Sequence, residues 1–520
     1  MEKKCIHWFW NRIILVGFLL SLCCILPTVS HAQISFEKNY GGSNTDEAYS
    51  VQQTSDGGYI LAGYTFSFGM NGEVYLVKTD SLGNVLWTKT YGSTGFDLGF
   101  SVREISGGGY IIAGSIDILG PGSQVYLIRT DPAGDTLWTK TYGGVSYDEG
   151  YSGMETSDGG FIIAGGTTSF GAGSYDVYLI KTDSSGNVLW TKTYGGSNNE
   201  GGLSVQETID SGYVLIGRTS TFGAGDFDIY LIKTNSGGDT LWTKTFGGAD
   251  WDQGYSVEET QDGGYILVGF TESFGSGNRD VYLVKTDSLG LLLWSQTYGD
   301  TARDEGHSVR QTSDGGYVIA GLTYSFGSGT SSLYLIKTDS LGNPLWTRTY
   351  GGASRGKSVQ LASDGGFVIS GATFTMGSDD FYLVKTDASG LVGIEENTNP
   401  KSSIPNFHLF QNEPNPFRQW TIIRYSVPET SPVTLKIYDL SGRLAETLVD
   451  EKQEPGVYQV QWTPDSRTHG LIHSRTPSGI YFYRLTVGAI HELPLHDESS
   501  LYKGRKSGDF TATKKLILLQ

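Results

Sequence analysis

The chain has 520 residues, a formal net charge of −18 and three cysteines. That balance argues against nucleic acid and anionic lipid as partners and leaves little for disulfides to do. Its 73 glycines, 31 tyrosines, 23 phenylalanines and 11 tryptophans, against 14 prolines, point to short strands and tight turns in more than one domain.

In chain order, the first predicted element is a targeting segment. Lys3, Lys4 and Arg12 precede an apolar run from Ile13 to Leu26, then Pro27, then Ser30, His31 and Ala32, with small residues where a signal peptidase reads. The run is short for a membrane span, so residues 1–32 are expected to be a signal peptide cleaved after Ala32. A lipoprotein signal through Cys23 fits less well, because bulky Leu22 precedes it. Cys5, Cys23 and Cys24 all fall in this segment, so the mature chain is expected to have neither disulfides nor thiolate metal sites. The segment holds three cations and one acid, a surplus of two, so the charge of −18 becomes −20 without it.

Residues 33–394 read as a repeat. The phrase YLxKTD and its variants place a tyrosine at Tyr75, Tyr126, Tyr178, Tyr230, Tyr282, Tyr334 and Tyr382. A tryptophan follows only six times, at Trp87, Trp138, Trp190, Trp242, Trp294 and Trp346, because the seventh unit breaks off at TDASGLVGIEE. Each unit alternates with period two between turn signals, as in SVQQT, SDGG, YILAGYT, VYLVKTD, SLGN and VLWTKTY, which predicts four strands. Seven such units predict an all-β, seven-bladed β-propeller. The unit resembles kelch-type repeats in period and in glycine-rich hairpins, though not in their signature residues.

The stretch SFEKNYGG at 35–42 copies the last phrase of a unit, with Phe36 in the place of tryptophan. It is expected to pair with the unfinished seventh unit and close the propeller. Bringing these distant ends together costs about 5 kcal/mol of loop entropy. Ladder bonds at ~0.5 to 1.5 kcal/mol each and a buried aromatic at ~1.5 to 3 kcal/mol can offset it.

Positions that scarcely change from unit to unit, the tryptophans, DGGY turns and Lys-Thr-Asp phrases, read as scaffold. The link between units carries an acid at Asp46, Asp97, Asp148, Glu200, Asp252 and Asp304, while the seventh link is shorter and reads SRGK. Just before these acids the residue varies among Thr45, Phe96, Tyr147, Asn199, Trp251 and Arg303. A ring of carboxylates among changing aromatic and polar groups suits sugar or peptide binding, with or without Ca2+; Phe96, Tyr147 and Trp251 are the aromatic candidates. The alternative is that each acid caps its own loop. Phe68, Phe170, Phe222, Phe274 and Phe326 in the middle loops are expected to be plugs beneath those loops.

Catalytic chemistry finds little support. DSLGNVLW resembles the quinoprotein repeat, but its spacing is one residue shorter, that family usually has eight units, and no cysteine pair is present in the repeat region. TDSLGNVLW resembles the sialidase aspartate box, yet misses its Asp-x-Gly spacing. His307 is the single histidine in residues 33–400, so neither a histidine-based triad nor a multi-histidine metal site can be built there. HELPLH at 491–496 has the wrong spacing for a zinc helix, and Pro494 would break one. No catalytic residue and no resident cofactor or metal is assigned.

Beyond a linker at 395–405, residues 406–520 run NEPNPF, TIIRYSVPE, VTLKIYDLSGRLAETLV, GVYQVQWTPD, SGIYFYRLTVG and FTATKKLILLQ. Alternating strands between Pro and Gly turns predict a small β-sandwich. These phrases resemble the Ig-like C-terminal sorting domain of the type IX secretion pathway. The resemblance implies passage to the periplasm and recognition by an outer-membrane translocon, with Lys514, Lys515, Leu516, Ile517, Leu518 and Leu519 as the family's last basic and apolar strand. Residues 468–476 and about 489–508 interrupt the family phrases as inserts. The resulting expectation is an exported, monomeric binding or adhesion module at the cell surface or outside the cell; the alternative is a secreted propeller enzyme acting on polysaccharide.

Overall fold

The structure is a computed structural model that describes residues 35–392, apart from 70, 118–121, 328–329 and 376, and residues 408–518, apart from 410–411, 413–416, 418–419, 428–429, 455, 465–478 and 489–509. The expected signal peptide, linker and inserts, the HELPLH phrase and Leu519 lie outside the described residues. The chain divides into two compact units, one ending at Glu395 and the other starting at Glu396.

In the first unit each repeat folds as an antiparallel meander. The first repeat supplies strands Asp46–Gln53, Tyr59–Thr65, Glu73–Thr79 and Val85–Tyr91, in that spatial order. Five further repeats do the same, and the last supplies Ser354–Leu361, Phe367–Thr375 and Ser378–Thr386. Phe36–Tyr40 is the fourth strand of that last sheet, with Phe36 opposite Lys385 and Tyr40 opposite Phe381. Among the described residues this makes seven four-stranded sheets in the unit. Successive sheets pack face to face through apolar clusters, such as that of Ile60, Leu76, Val102, Ile112 and Ile128. First strands of neighbouring sheets lie beside one another, including those of the last and first repeats. This is β-propeller architecture.

The invariant positions hold the sheets in register. The outer-strand tryptophan packs on the turn glycine of the next sheet: a Cβ on Gly134, whose φ is +80°, would sit 2.8 Å from Trp87 Cζ3. Only glycine meets both demands. Phe36 occupies the same place over Gly83. The tyrosine that ends the outer strand donates its hydroxyl to the carbonyl of that glycine, as Tyr91 to Gly134 (2.6 Å) and Tyr40 to Gly83 (2.7 Å); Phe246 lacks the hydroxyl. The DGGY aspartate does more than close its own turn. Asp56 accepts from Gly58 N–H and also from Lys78 Nζ at 2.8 Å, and that lysine is almost wholly buried. In the second repeat glycine, Gly107, stands in place of the aspartate and Arg129 in place of the lysine, and Arg129 Nη1 is buried with no hydrogen-bond partner among the described residues.

The second unit has two sheets. One is formed by His408–Leu409, Thr421–Val427 and Gly456–Trp462, the other by Leu444–Gln453, Ser431–Asp439, Gly479–Val487 and Phe510–Leu518, each in spatial order. They share one apolar core that includes Ile423, Tyr425, Ile437, Trp462 and Tyr483. Asn412 of the NEPNPF phrase is buried; its backbone N–H donates to the Tyr483 hydroxyl (2.7 Å) and its side chain to Thr421 Oγ1 (2.9 Å). Val487 pairs with Phe510, so the strands on either side of the second insert form one continuous ladder.

Candidate functional site

The site begins at the links between repeats, where the acids turn inward. Asp46, Asp97, Asp148, Glu200, Asp252 and Asp304 are all 0% exposed. Asp46 accepts from Gly42 N–H (2.8 Å) and Ser67 Oγ (2.7 Å). Asp97 accepts from the backbone N–H groups of Ser93 (2.5 Å) and Asp117 (2.9 Å), and burial pushes its carboxyl up from the usual range. Asp148 accepts from Gly144 N–H (2.7 Å), Ser169 Oγ (2.7 Å) and Thr167 Oγ1. Glu200 holds Gly196 N–H (2.8 Å) and Thr219 Oγ1 (2.9 Å). Asp252 holds Gly248 N–H (2.8 Å) and Ser273 Oγ (2.6 Å), and Asp304 holds Asp300 N–H (3.1 Å) and Ser325 Oγ (2.5 Å). The expected ligand-facing ring of carboxylates is therefore corrected: each acid pins its link to the neighbouring middle hairpin. Among the described residues no three His, Cys, Asp or Glu side chains gather as a metal site.

The middle-loop phenylalanines are also only partly as expected. Phe68 packs on Tyr75 with ring centroids 5.3 Å apart and Phe274 on Tyr282 at 5.6 Å, but Phe68, Phe170, Phe222, Phe274 and Phe326 each keep about two fifths of their surface in solvent.

The aromatic residues named beside the acids do lie at the surface. Phe96 is 40% and Tyr147 57% exposed, and Trp251 is half-buried. Phe96 stacks on Phe66 (5.3 Å, 12° between planes) and both lie edge-on to Tyr64. Trp251 packs on Phe227 (5.5 Å) and Phe270 (5.8 Å). The Arg279 guanidinium lies 4.1 Å from the Phe270 ring and Arg218 5.0 Å from Phe227, so cation–π contacts bind this patch together.

A second set of residues has no counterpart in the sequence-derived candidates. Every first strand carries a β-bulge, and the residue that the ladder skips is Tyr49, Phe100, Tyr151, Leu203, Tyr255, His307 or Lys357 in turn. A bulge re-aims the extra side chain, and here the skipped residues meet from sheet to sheet. Ring centroids are 5.1 Å apart for Tyr49 and Phe100, 4.9 Å for Phe100 and Tyr151, and 4.9 Å for Tyr255 and His307. Lys357 Nζ lies 5.8 Å from the Tyr49 ring, joining the last repeat to the first.

Directly after the link acids come polar residues that touch these bulges. Glu305 is 1% exposed and is held by Arg279 Nη1 (2.7 Å), Arg303 Nε (2.8 Å) and His307 Nε2 (3.2 Å). Burial pushes its carboxyl up, but the imidazole and two guanidiniums outweigh that and hold it far below the usual range. Glu47 accepts from Arg355 Nε at 2.8 Å and its carboxyl is likewise lowered, and Arg355 also bonds Asp379 (2.8 Å). Glu149 accepts from the Tyr151 and Tyr175 hydroxyls. Exposed aromatic residues, a rim, thus adjoin a polar layer whose charges are mostly paired, and that layer touches the bulge residues, a floor, through Glu305 with His307 and Glu149 with Tyr151. Together they offer ring faces and hydrogen-bonding groups for binding. The signal that could have found the floor was the invariant Ser after one variable residue, in AYS, GFS, GYS, GLS, GHS and GKS.

Of the basic and apolar strand at the C-terminus, Leu516 and Leu518 are core residues, Lys515 is exposed and Lys514 half-buried.

No family model matches the chain. Regulatory protein FlaEY of Caulobacter vibrioides is 28% identical over 171 residues, which cover 28% of this chain and 18% of that protein; the chain thus spans under a fifth of that relative's length. The WD40 domain of Neurospora crassa Pan2 is 8% identical over 68% of this chain and 96% of its own, with a TM-score of 0.43. Sqt1 from Chaetomium thermophilum is 10% identical over 65% of this chain and 82% of its own, with a TM-score of 0.39. Likenesses at this level carry no argument about function, and the fold rests on the sheets described above.

Proposed function

We propose that the seven sheets are the blades of one closed propeller, and that this propeller is a binding module for carbohydrate whose contact surface is the aromatic rim and bulge-residue floor. The closure reading draws on a repeated clamp. A turn N–H of one sheet is taken by an acceptor on the next, as Ser55 by Glu104 and Ser157 by Glu207, and the same clamp joins Ser363 of the last sheet to Gln53 of the first.

What carries the binding reading is that variable side chains sit on an invariant frame. The link acids lock the loops, so Phe66 with Phe96, Tyr147 and Trp251 are presented on rigid supports, and aromatic faces of this kind suit sugar rings. The test is a glycan array probed with the mature chain, repeated with W251A and F96A. Binding of a glycan class that falls at least tenfold in these variants is expected; an empty array for the folded wild-type protein would overturn the reading.

The second unit, in the same proposal, is an Ig-like sorting domain read by a type IX-like outer-membrane translocon, which delivers the propeller through the periplasm to the cell surface. Its support is the ordered set of motifs and the terminal basic strand. Deleting the last ten residues is expected to strand the protein in the periplasm, and unchanged surface delivery would count against the assignment.

A further inference from the structure

The cations around the bulge residues are not alike in their partners. Arg279 and Arg303 share Glu305, Arg355 is divided between Glu47 and Asp379, and Arg218 donates to Gln253 Oε1 at 2.9 Å. Lys357 makes no hydrogen bond and no ion pair with any described residue; its ammonium lies 5.8 Å from the Tyr49 ring. Yet it is half-buried and sits at a bulge, on the floor. The two carboxylates whose fields reach it, Glu47 and Glu305, are already committed to arginines at 2.7 to 2.8 Å. Burial pulls its ammonium below the usual lysine range, as expected for a cation without a counter-charge of its own.

A lysine held in such a place is stabilised by whatever brings a carboxylate to it. The neighbours narrow the class. On the floor Tyr49 lies beside Lys357 and Phe100 beside Tyr49, and the Tyr64, Phe66 and Phe96 cluster stands next to them: Tyr49 lies 6.0 Å from Tyr64. An anion on the floor and flat aromatic faces beside it suit a sugar that carries its own carboxylate.

Resting on the carbohydrate-binding reading above, we propose that the preferred ligand is an acidic glycan of the uronic acid type, with a sugar carboxylate bound by Lys357 Nζ and the ring faces of neighbouring residues on the Tyr64, Phe66 and Phe96 cluster. An acidic peptide would meet the lysine but would leave those aromatic faces without a matching partner.

The experiment is calorimetric titration of the full mature chain with a short oligogalacturonate, with its fully methyl-esterified counterpart, and with a glutamate oligomer. The acidic sugar is expected to bind at least tenfold more tightly than its ester. K357M should remove that preference by weakening the acid at least tenfold more than the ester, and K357R should keep most of it; melting curves establish that both variants fold. Equal affinity for acid and ester, or an unaltered preference in K357M, overturns this inference but leaves the carbohydrate reading standing. Absence of binding to either sugar overturns this inference, and preference for the glutamate oligomer replaces the glycan with a peptide; an empty glycan array would be needed to remove the carbohydrate reading itself.

Discussion

Arg355 and Glu47 stand 308 residues apart in the chain and 2.8 Å apart in the fold. Glu47 is 6% exposed, so a lone carboxylate there would be left in a poorly hydrated place. R355A is expected to cost about 2 to 4 kcal/mol in urea denaturation, and E47Q/R355A less than R355A alone. A double variant no better than the single one would show that the pair is not coupled.

Removing the first strand should be more damaging than removing any exposed feature of the first unit. Phe36 is 4% exposed, packs edge-on to Tyr59 at 6.0 Å and covers Gly83. F36A is expected to cost ~3 to 5 kcal/mol. Deleting residues 35–42 should expose the Ser378–Thr386 strand as a bare edge and promote self-association, which sedimentation would detect.

Stability should fall in acid for a stated reason. Burial pushes Asp56, Asp158, Asp210 and Asp314 up, but the paired lysine, the turn threonine and a glycine N–H outweigh it and hold them at about 2. A folded value below the unfolded one stabilises the fold above roughly pH 4, and that contribution is lost as pH falls toward 2. The urea midpoint of the wild type should drop between pH 5 and pH 2.5, and D56N should drop less steeply. A flat profile would contradict this.

Gly107 offers a repair. A Cβ there meets nothing closer than Arg129 Nη2 at 3.8 Å, so aspartate fits, and it would serve a guanidinium with a buried unpartnered nitrogen. G107D is expected to raise stability by about 0.5 to 1.5 kcal/mol, read as a higher melting temperature.

The locking role of the link acids and the presenting role of their neighbours separate by measurement. D148A leaves Gly144 N–H and two hydroxyls without their acceptor and should cost about 1 to 3 kcal/mol. Y147S, at a side chain 57% exposed, should leave the melting temperature within a degree or two while lowering glycan binding.

The four-stranded sheets and their turns were legible because alternation and glycine turns are local, and Phe36 was legible because its phrase copied a strand end. The direction in which the link acids point was left open between a ligand and their own loops. Asp148 sits at a strand's first residue, where pattern does not say whether a carboxylate faces solvent or the N–H of its own loop. The floor was hidden for a related reason: at Tyr151 the bulge gives the strand one residue more than its partner, so simple alternation assigns the side chain to the wrong face. Pairings such as Arg279 with Glu305 join different repeats, and no pattern within a single repeat could reveal them.

The pairing of Phe36 with Lys385 also sets an order of events in synthesis. The earliest-made strand of the propeller meets its neighbour only after the final repeat has left the ribosome, so its backbone groups wait while every other sheet can already form. The last sheet of such a chain is therefore completed only after its neighbours, and its open edge persists until then.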